Sequence, residues 1–251
     1  MIRVLIIKSG HRETLCHDHG GAISLGDVLR STVILHLFKN DHVTWLTSPE
    51  AIPLLKDNPH IDRIVTGLLP HWRFEVVVNL ERDFDTSGIL AAVLINPPAP
   101  TRSFTDKSWS QILYEMLGRT YRGEPYMLGY VPCKEVIYDV GLNYKIGSKF
   151  PDKHWGKWGG LEDELSGKCC VSMQPPETDL YAYIDWLDSC ETVITNDSLG
   201  LHIALALGKR VIALFGPTPE GAVCGNNFTK IIAASGQIAD ISVYDVLLQI
   251  A

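Results

Sequence analysis

Short runs of β-branched and aliphatic residues recur along the chain, each followed by a polar turn and then a stretch of helical periodicity. RVLII (3–7), HVTWLT (42–47), IDRIV around Ile64 and FEVVVNL (74–80) have the length and make-up of buried strands. Between the first two, GDVLRSTVILHLF (26–38) places apolar residues at Val28, Leu29, Val33, Leu35 and Leu37, with Thr32 among them, and predicts a helix. SPEAIPLLK (48–56) predicts another, with Ser48 as N-cap and Pro49 at the first helical position. A helix is expected over 89–94, ended by NPPAP (96–100), and a further one over SWSQILYEMLG (108–118).

A Gly-, Pro- and Tyr-rich passage over 120–135 reads as a linker. The theme then repeats. VIYDVGL (136–142), KCCVSM (168–173), TVIT (192–195), RVIALFG (210–216) and KIIAA (230–234) predict strands. WGKWGGLEDEL (155–165), TDLYAYIDWLDS (178–189), SLGLHIALALG (198–208) and ISVYDVLLQI (241–250) predict helices. Such alternation predicts two α/β domains, each a mostly parallel sheet with helices on both faces. The expected division is 1–130, 131–240 and a terminal helix at 241–251 that could return to the first domain. Ligands of open parallel sheets bind beyond the carboxyl ends of the strands, so chemistry is sought there.

Composition changes this picture little. Of 251 residues, 46% are hydrophobic and 20% charged, as in ordinary globular proteins. A net charge of -7 and the lack of a long basic run argue against a broad nucleic-acid-binding face. The first apolar run stops at Lys8, too short for a signal-peptide core or a membrane span, and reads as a strand. No basic amphipathic helix calls for more than peripheral membrane contact. Cys16, Cys133, Cys169, Cys170, Cys190 and Cys224 lack a framework spacing and read as reduced thiols of a cytoplasmic protein, in which the sequons at Asn196 and Asn227 carry no meaning. CHDH (16–19) reads as a polar loop, because metal ligands are usually spaced by two to four residues.

Four strand ends hold unusual polar content. In SLGDVLRST (24–32), Gly26 permits a tight turn and Asp27 stands at a helix start, where it either caps backbone N–H groups or serves as a general base. In FPDKHWGKW (150–158), Lys153 sits at an expected helix start, where the helix dipole disfavours a cation unless an anion is bound there; a solvated surface lysine is the plainer alternative. In TNDSLGLH (195–202), Asp197 reads as N-cap, and Ser198, Leu199 and Gly200 present backbone N–H groups to an anion. His202 is either a core residue or a ligand contact. Last, Gly216, Pro217 and Thr218 form a rigid turn that could wall the same site or be only a loop.

Taken in order, these segments resemble the ADP-heptose:lipopolysaccharide heptosyltransferase family, glycosyltransferase family 9. The similarity is carried by D-S-L-G-L-H and A-L-G-K-R-V-I-A-L-F-G-P-T across 197–218, by GDVL and a following threonine at 26–32, by LKDNPHIDRIV and FEVVVNLE, and by D-K-H-W at 152–155. The resemblance implies a GT-B architecture, two Rossmann-like domains facing across a cleft, the first holding the acceptor and the second the ADP-sugar. It implies an inverting transfer without metal or other cofactor, from an ADP-heptose or similar donor to a lipopolysaccharide core or other glycan; the expected setting is the cytoplasm, where the protein could work at the inner face of the membrane. It casts Asp27 as general base, Lys153 as the lysine on the donor diphosphate, residues 197–200 with His202 as the diphosphate turn, and places Ser148 and Lys149 near the diphosphate.

The chain also departs from the family. Gly156 stands where proline usually follows K-x-W, the loop over 9–24 is long, and residues 168–194 leave room for one strand–helix unit fewer. That region supplies an acidic contact to the donor ribose in relatives; Gln174 and Glu177 are the residues at hand here. The missing unit motivates a rival reading, a non-catalytic nucleotide-sugar-binding or scaffolding protein. A nicotinamide oxidoreductase is disfavoured, because no G-x-G-x-x-G follows the first strand.

Overall fold

The computed structural model describes residues 1–10, 23–68, 71–81, 84–96, 107–132, 135–147, 150–176, 179–216, 218, 223 and 228–250. The chain divides into two compact units, Met1–Val131 and Pro132–Ala251.

The first unit is built on β1 (Arg3–Ile7), β2 (His42–Leu46), β3 (Arg63–Val65), β4 (Arg73–Asn79) and β5 (Leu90–Ile95), with helices α1 (Leu25–Ser31), α2 (Ile52–Leu55) and α3 (Trp109–Met116). The strands are all parallel and lie in the order β3-β2-β1-β4-β5. Leu5, Ile7, Leu46 and Val77 form a buried cluster, with Phe74 and Ile89 packed against it.

Three local expectations change. The stretch expected as a helix over 89–94 is the edge strand β5, paired with β4 from Arg73↔Leu90 to Val78↔Ile95. A short apolar run followed by prolines fits either element, and pairing with β4 decides it. The helix expected over 26–38 tightens to a 3-10 helix at Thr32–Leu37. Ser31 and Thr32 both donate their hydroxyls back into the preceding turn, to Asp27 O and Leu29 O at 2.6 Å each, and such back-bonding competes with regular helix geometry. Ser48 does precede a proline-led turn, the 3-10 helix Pro49–Ala51, but its side chain makes no capping bond.

The second unit contains β6 (Tyr138–Asn143), α4 (Trp158–Leu165), β7 (Val171–Met173), α5 (Leu180–Asp188), β8 (Cys190–Asn196), α6 (Leu199–Ala206), β9 (Arg210–Phe215), β10 (Phe228–Ile232) and α7 (Val243–Leu247). Its parallel sheet has the order β10-β9-β8-β6-β7. The chain runs outward from β6 to β7, then returns to β8 on the other side. The strand order therefore reverses between β6 and β8, the position where doubly wound sheets hold ligands. Trp155, Trp158, Leu161 and Ile212 lie in one core with Ile241 and Val246. The terminal helix packs within the second unit, against α4. No helix among the described residues is long and apolar enough to cross a membrane.

Candidate functional site at the carboxyl end of the second sheet

β8 ends at Asn196, and Asp197 follows in the turn that leads to α6. Asp197 is not the N-cap; Ser198 holds that position, and the Asp197 carboxylate turns elsewhere. Its Oδ2 accepts from Lys153 Nζ at 2.5 Å and from the Thr218 hydroxyl at 2.7 Å. One carboxylate oxygen thereby gathers residues from three segments. Burial opposes ionisation of Asp197, but Lys153, His202 and the two hydrogen bonds outweigh it and hold the carboxyl below the ordinary carboxylate range.

Lys153 closes the 3-10 turn Pro151–Lys153 and lies ahead of α4, which begins only at Trp158. The expected conflict between a lysine and a helix N-terminus therefore does not arise, and the ion pair with Asp197 takes its place. The ammonium also lies 4.8 Å from the centre of the Phe150 ring. The side chain keeps 20% of its surface exposed against 9% for Asp197, so the cation remains reachable. Trp155 fixes the segment from below: it is fully buried and donates its indole N–H to Ile241 O at 2.9 Å.

Leu199 and Gly200 open α6, and His202 is buried in its first turn. Ser198 makes no side-chain cap to α6. The first-turn N–H groups of a helix have no intrahelical acceptor, so this end carries a partial positive charge. Gly200 has a second role. A Cβ there would collide with the Asn143 amide and the Tyr183 hydroxyl, so glycine is required for close packing of these side chains as well as for backbone approach. Gly216 is required likewise, because a Cβ would come within 2.7 Å of the Ile238 nitrogen.

Asn143 and Tyr183 are residues that sequence reasoning missed. Asn143 ends β6, is fully buried and pairs in register with Thr195 of β8. Its amide donates to Thr195 Oγ1 at 2.7 Å and Ser198 Oγ at 3.1 Å, and accepts from Tyr183 OH at 2.6 Å. No motif announces it; only its place as the last residue of a strand beside the switch point could have drawn attention to it. Gln174 accepts from Lys145 N at 3.1 Å, at the ends of β6 and β7. Ser148, Lys149, Glu177, Pro217 and the CHDH run at 16–19 lie outside the described residues.

In the first unit, Asp27 lies in the first turn of α1, whose N-cap is Ser24. Its carboxylate is held by Arg30, through Nε at 3.0 Å and Nη2 at 2.5 Å. Burial raises its proton affinity, yet the charges of Arg30 and Lys8 and the hydrogen bonds from Ser24 and Arg30 lower it well below the ordinary range. Arg30 in turn lies 5.6 Å from the centre of the Trp109 ring. Asp27 is thus an ionised, partly exposed carboxylate at the carboxyl side of β1.

Comparison with known proteins now bears on this arrangement. Residues 161–239 match the family described as glycosyltransferase family 9 (heptosyltransferase). Lipooligosaccharide heptosyltransferase 2 of Haemophilus influenzae is 27% identical over a stretch that takes up 38% of this chain and 33% of that protein. The match thus spans about a third of that curated relative. Among solved structures, E. coli heptosyltransferase WaaC with ADP superimposes with a TM-score of 0.73 at 13% identity, covering 99% of this chain and 98% of that one. A family 9 glycosyl transferase from Veillonella parvula gives 0.69 at 16% identity, covering 98% and 95%. At such identities the structures speak for the fold. The segment from 161 to 239 is thus similar to glycosyltransferase family 9, on a chain with the two-sheet α/β fold of these solved glycosyltransferases.

Proposed function

We propose that the protein is an inverting glycosyltransferase that moves a heptose or similar sugar from an ADP-sugar to a lipopolysaccharide core or another glycan. The observation that carries this reading is the turn after β8. Lys153 and an uncapped helix N-terminus meet around Asp197 at the switch point of the sheet, and Asp197 and that helix lie inside the segment that matches family 9.

The chemistry fits these groups. A departing ADP gains negative charge, which a lysine and aligned N–H groups can stabilise without a metal ion. Ser198, Leu199 and Gly200 supply the N–H groups, and Lys153 leaves Asp197 for the diphosphate or bridges the two. Asp27 takes the proton of the acceptor hydroxyl as the new glycosidic bond forms, a contribution typically of ~10²–10⁴-fold. Its clamp by Arg30 has to loosen as the acceptor arrives. The setting would be the cytoplasm or the inner face of its membrane.

The same clamp favours a second reading, a nucleotide-sugar-binding protein that does not turn over, because a carboxylate held by a guanidinium is a weak base. A screen of ADP-, UDP- and GDP-sugars with a turnover assay separates the two. Transfer from ADP-heptose supports the enzyme. Binding without transfer to any glycan acceptor supports the second reading, and no binding of any nucleotide sugar refutes both.

A further inference from the structure

α3, α5 and α7 are closed at their N-termini by side chains: Ser108 accepts from Gln111 N, Asp179 from Ala182 N and Ser242 from Asp245 N. α6 also has a serine in that position, yet Ser198 makes no such bond. α1 likewise has an N-cap serine, Ser24, that makes no cap bond; at α6 the Ser198 hydroxyl is instead held by Asn143. Its amide donates one hydrogen to Ser198 Oγ and the other to Thr195 Oγ1. The amide cannot turn freely, because its oxygen accepts from Tyr183 OH and the Thr195 hydroxyl is itself committed to Asn196 O at 2.8 Å. Gly200 leaves the room in which this network sits; Asn143, Thr195 and Tyr183 are buried, and Ser198 is partly exposed. A satisfied buried network of this kind fixes one geometry.

We propose that Asn143, locked by Tyr183, is a positioning residue of the donor site: it draws the Ser198 hydroxyl away from capping α6 and so keeps the Leu199 and Gly200 N–H groups open for the diphosphate, the Leu201 N–H being already bonded to Ser198 O at 3.2 Å. The inference rests on the nucleotide-sugar reading for its ligand, but the diversion of the cap exists without one. Asn143 touches no anion in this scheme. It decides whether the helix end is filled by its own serine or left for a ligand.

Two measurements on the full chain test it. Amide exchange of Gly200, followed by NMR without ligand, should slow several-fold in Asn143→Leu as Ser198 caps the helix. The slowing should vanish in Asn143→Leu/Ser198→Ala. ADP affinity by calorimetry should fall about tenfold or more in Asn143→Leu and return most of the way in the double variant, whereas a merely structural role would make the double variant no better than the single. Tyr183→Phe, which removes one hydroxyl and keeps the ring, should weaken ADP by a smaller factor and serves if leucine at 143 does not fold. Unchanged exchange and unchanged affinity in the single variants, or a double variant as weak as Asn143→Leu, overturns the proposal. Failure of the wild-type chain to bind ADP would instead refute the nucleotide reading, with the exchange measurement still deciding the capping claim.

Discussion

The two sheets place a lysine and a carboxylate at the same kind of position, and put them to different use. In the first unit Lys8 follows β1 and Glu81 follows β4, the strands on either side of that sheet's reversal of order. Their ion pair, at 3.4 Å, is fully buried at both ends, and Glu81 Oε1 also accepts from Ser9 N and Gly10 N. In the second unit Lys153 and Asp197 meet at the corresponding place, but the lysine keeps a fifth of its side chain in contact with solvent and the neighbouring helix end is uncapped. A cation at a strand's carboxyl end is thus not by itself a ligand site. The first pair is sealed by backbone donors and holds the chain; the second is left where an anion can reach it. The sealed pair still reaches the surface electrically, since the Lys8 charge helps keep Asp27 ionised.

This contrast can be broken in several ways. The largest effect is expected at the surface group that the sealed pair supports: Asp27→Asn should lower turnover by ~10²–10⁴-fold while calorimetry finds ADP affinity unchanged. Full turnover in that variant would remove Asp27 as base. Next, Lys8→Met should destabilise the fold by about 3–5 kcal/mol in urea unfolding, because Glu81 stays buried without its countercharge. Adding Glu81→Gln should recover part of the loss, though Ser9 N and Gly10 N then lose a charged acceptor. Lys153→Ala should do the reverse, with an ADP affinity about tenfold weaker and a stability loss near 1 kcal/mol, as for a partly exposed pair. Equal stability losses at Lys8 and Lys153 would erase the distinction.

The smallest effect concerns pH. The Asp197 carboxyl lies below its ordinary 3.8 in the folded chain, so its contribution to stability is present above that pH and is lost as pH falls through the lower folded value. The urea midpoint of the wild type should therefore hold from neutral pH down to the usual carboxylate range and then decline more steeply than that of Asp197→Asn. Parallel declines in the two proteins would contradict the assigned ion pair.

Much of the fold is legible in the sequence because its central strands are short β-branched runs closed by polar turns. RVLII, FEVVVNL and RVIALF announce β1, β4 and β9 without help from tertiary context. β5 does not, since LAAVLI suits a helix as well as a strand until β4 lies beside it. The site was legible where a motif is contiguous, as from Asp197 to His202. The network behind it was illegible because it depends on register: Asn143 lies 55 residues before Ser198 and reaches it only because β6 pairs with β8. Asp197 was misread as a helix cap for a related reason. Local pattern assigns aspartate before a helix to its N–H groups, and only the fold brings Lys153 and Thr218 to compete for it.

The central claim is that the open strand end of the second sheet holds the diphosphate of a nucleotide. Calorimetric titration of ADP into the wild-type chain and into Lys153→Ala, side by side, tests it most directly. Saturable binding to the wild type with clear weakening in the variant is the predicted result; equal affinity in both, or no heat in a folded wild-type protein, would contradict it.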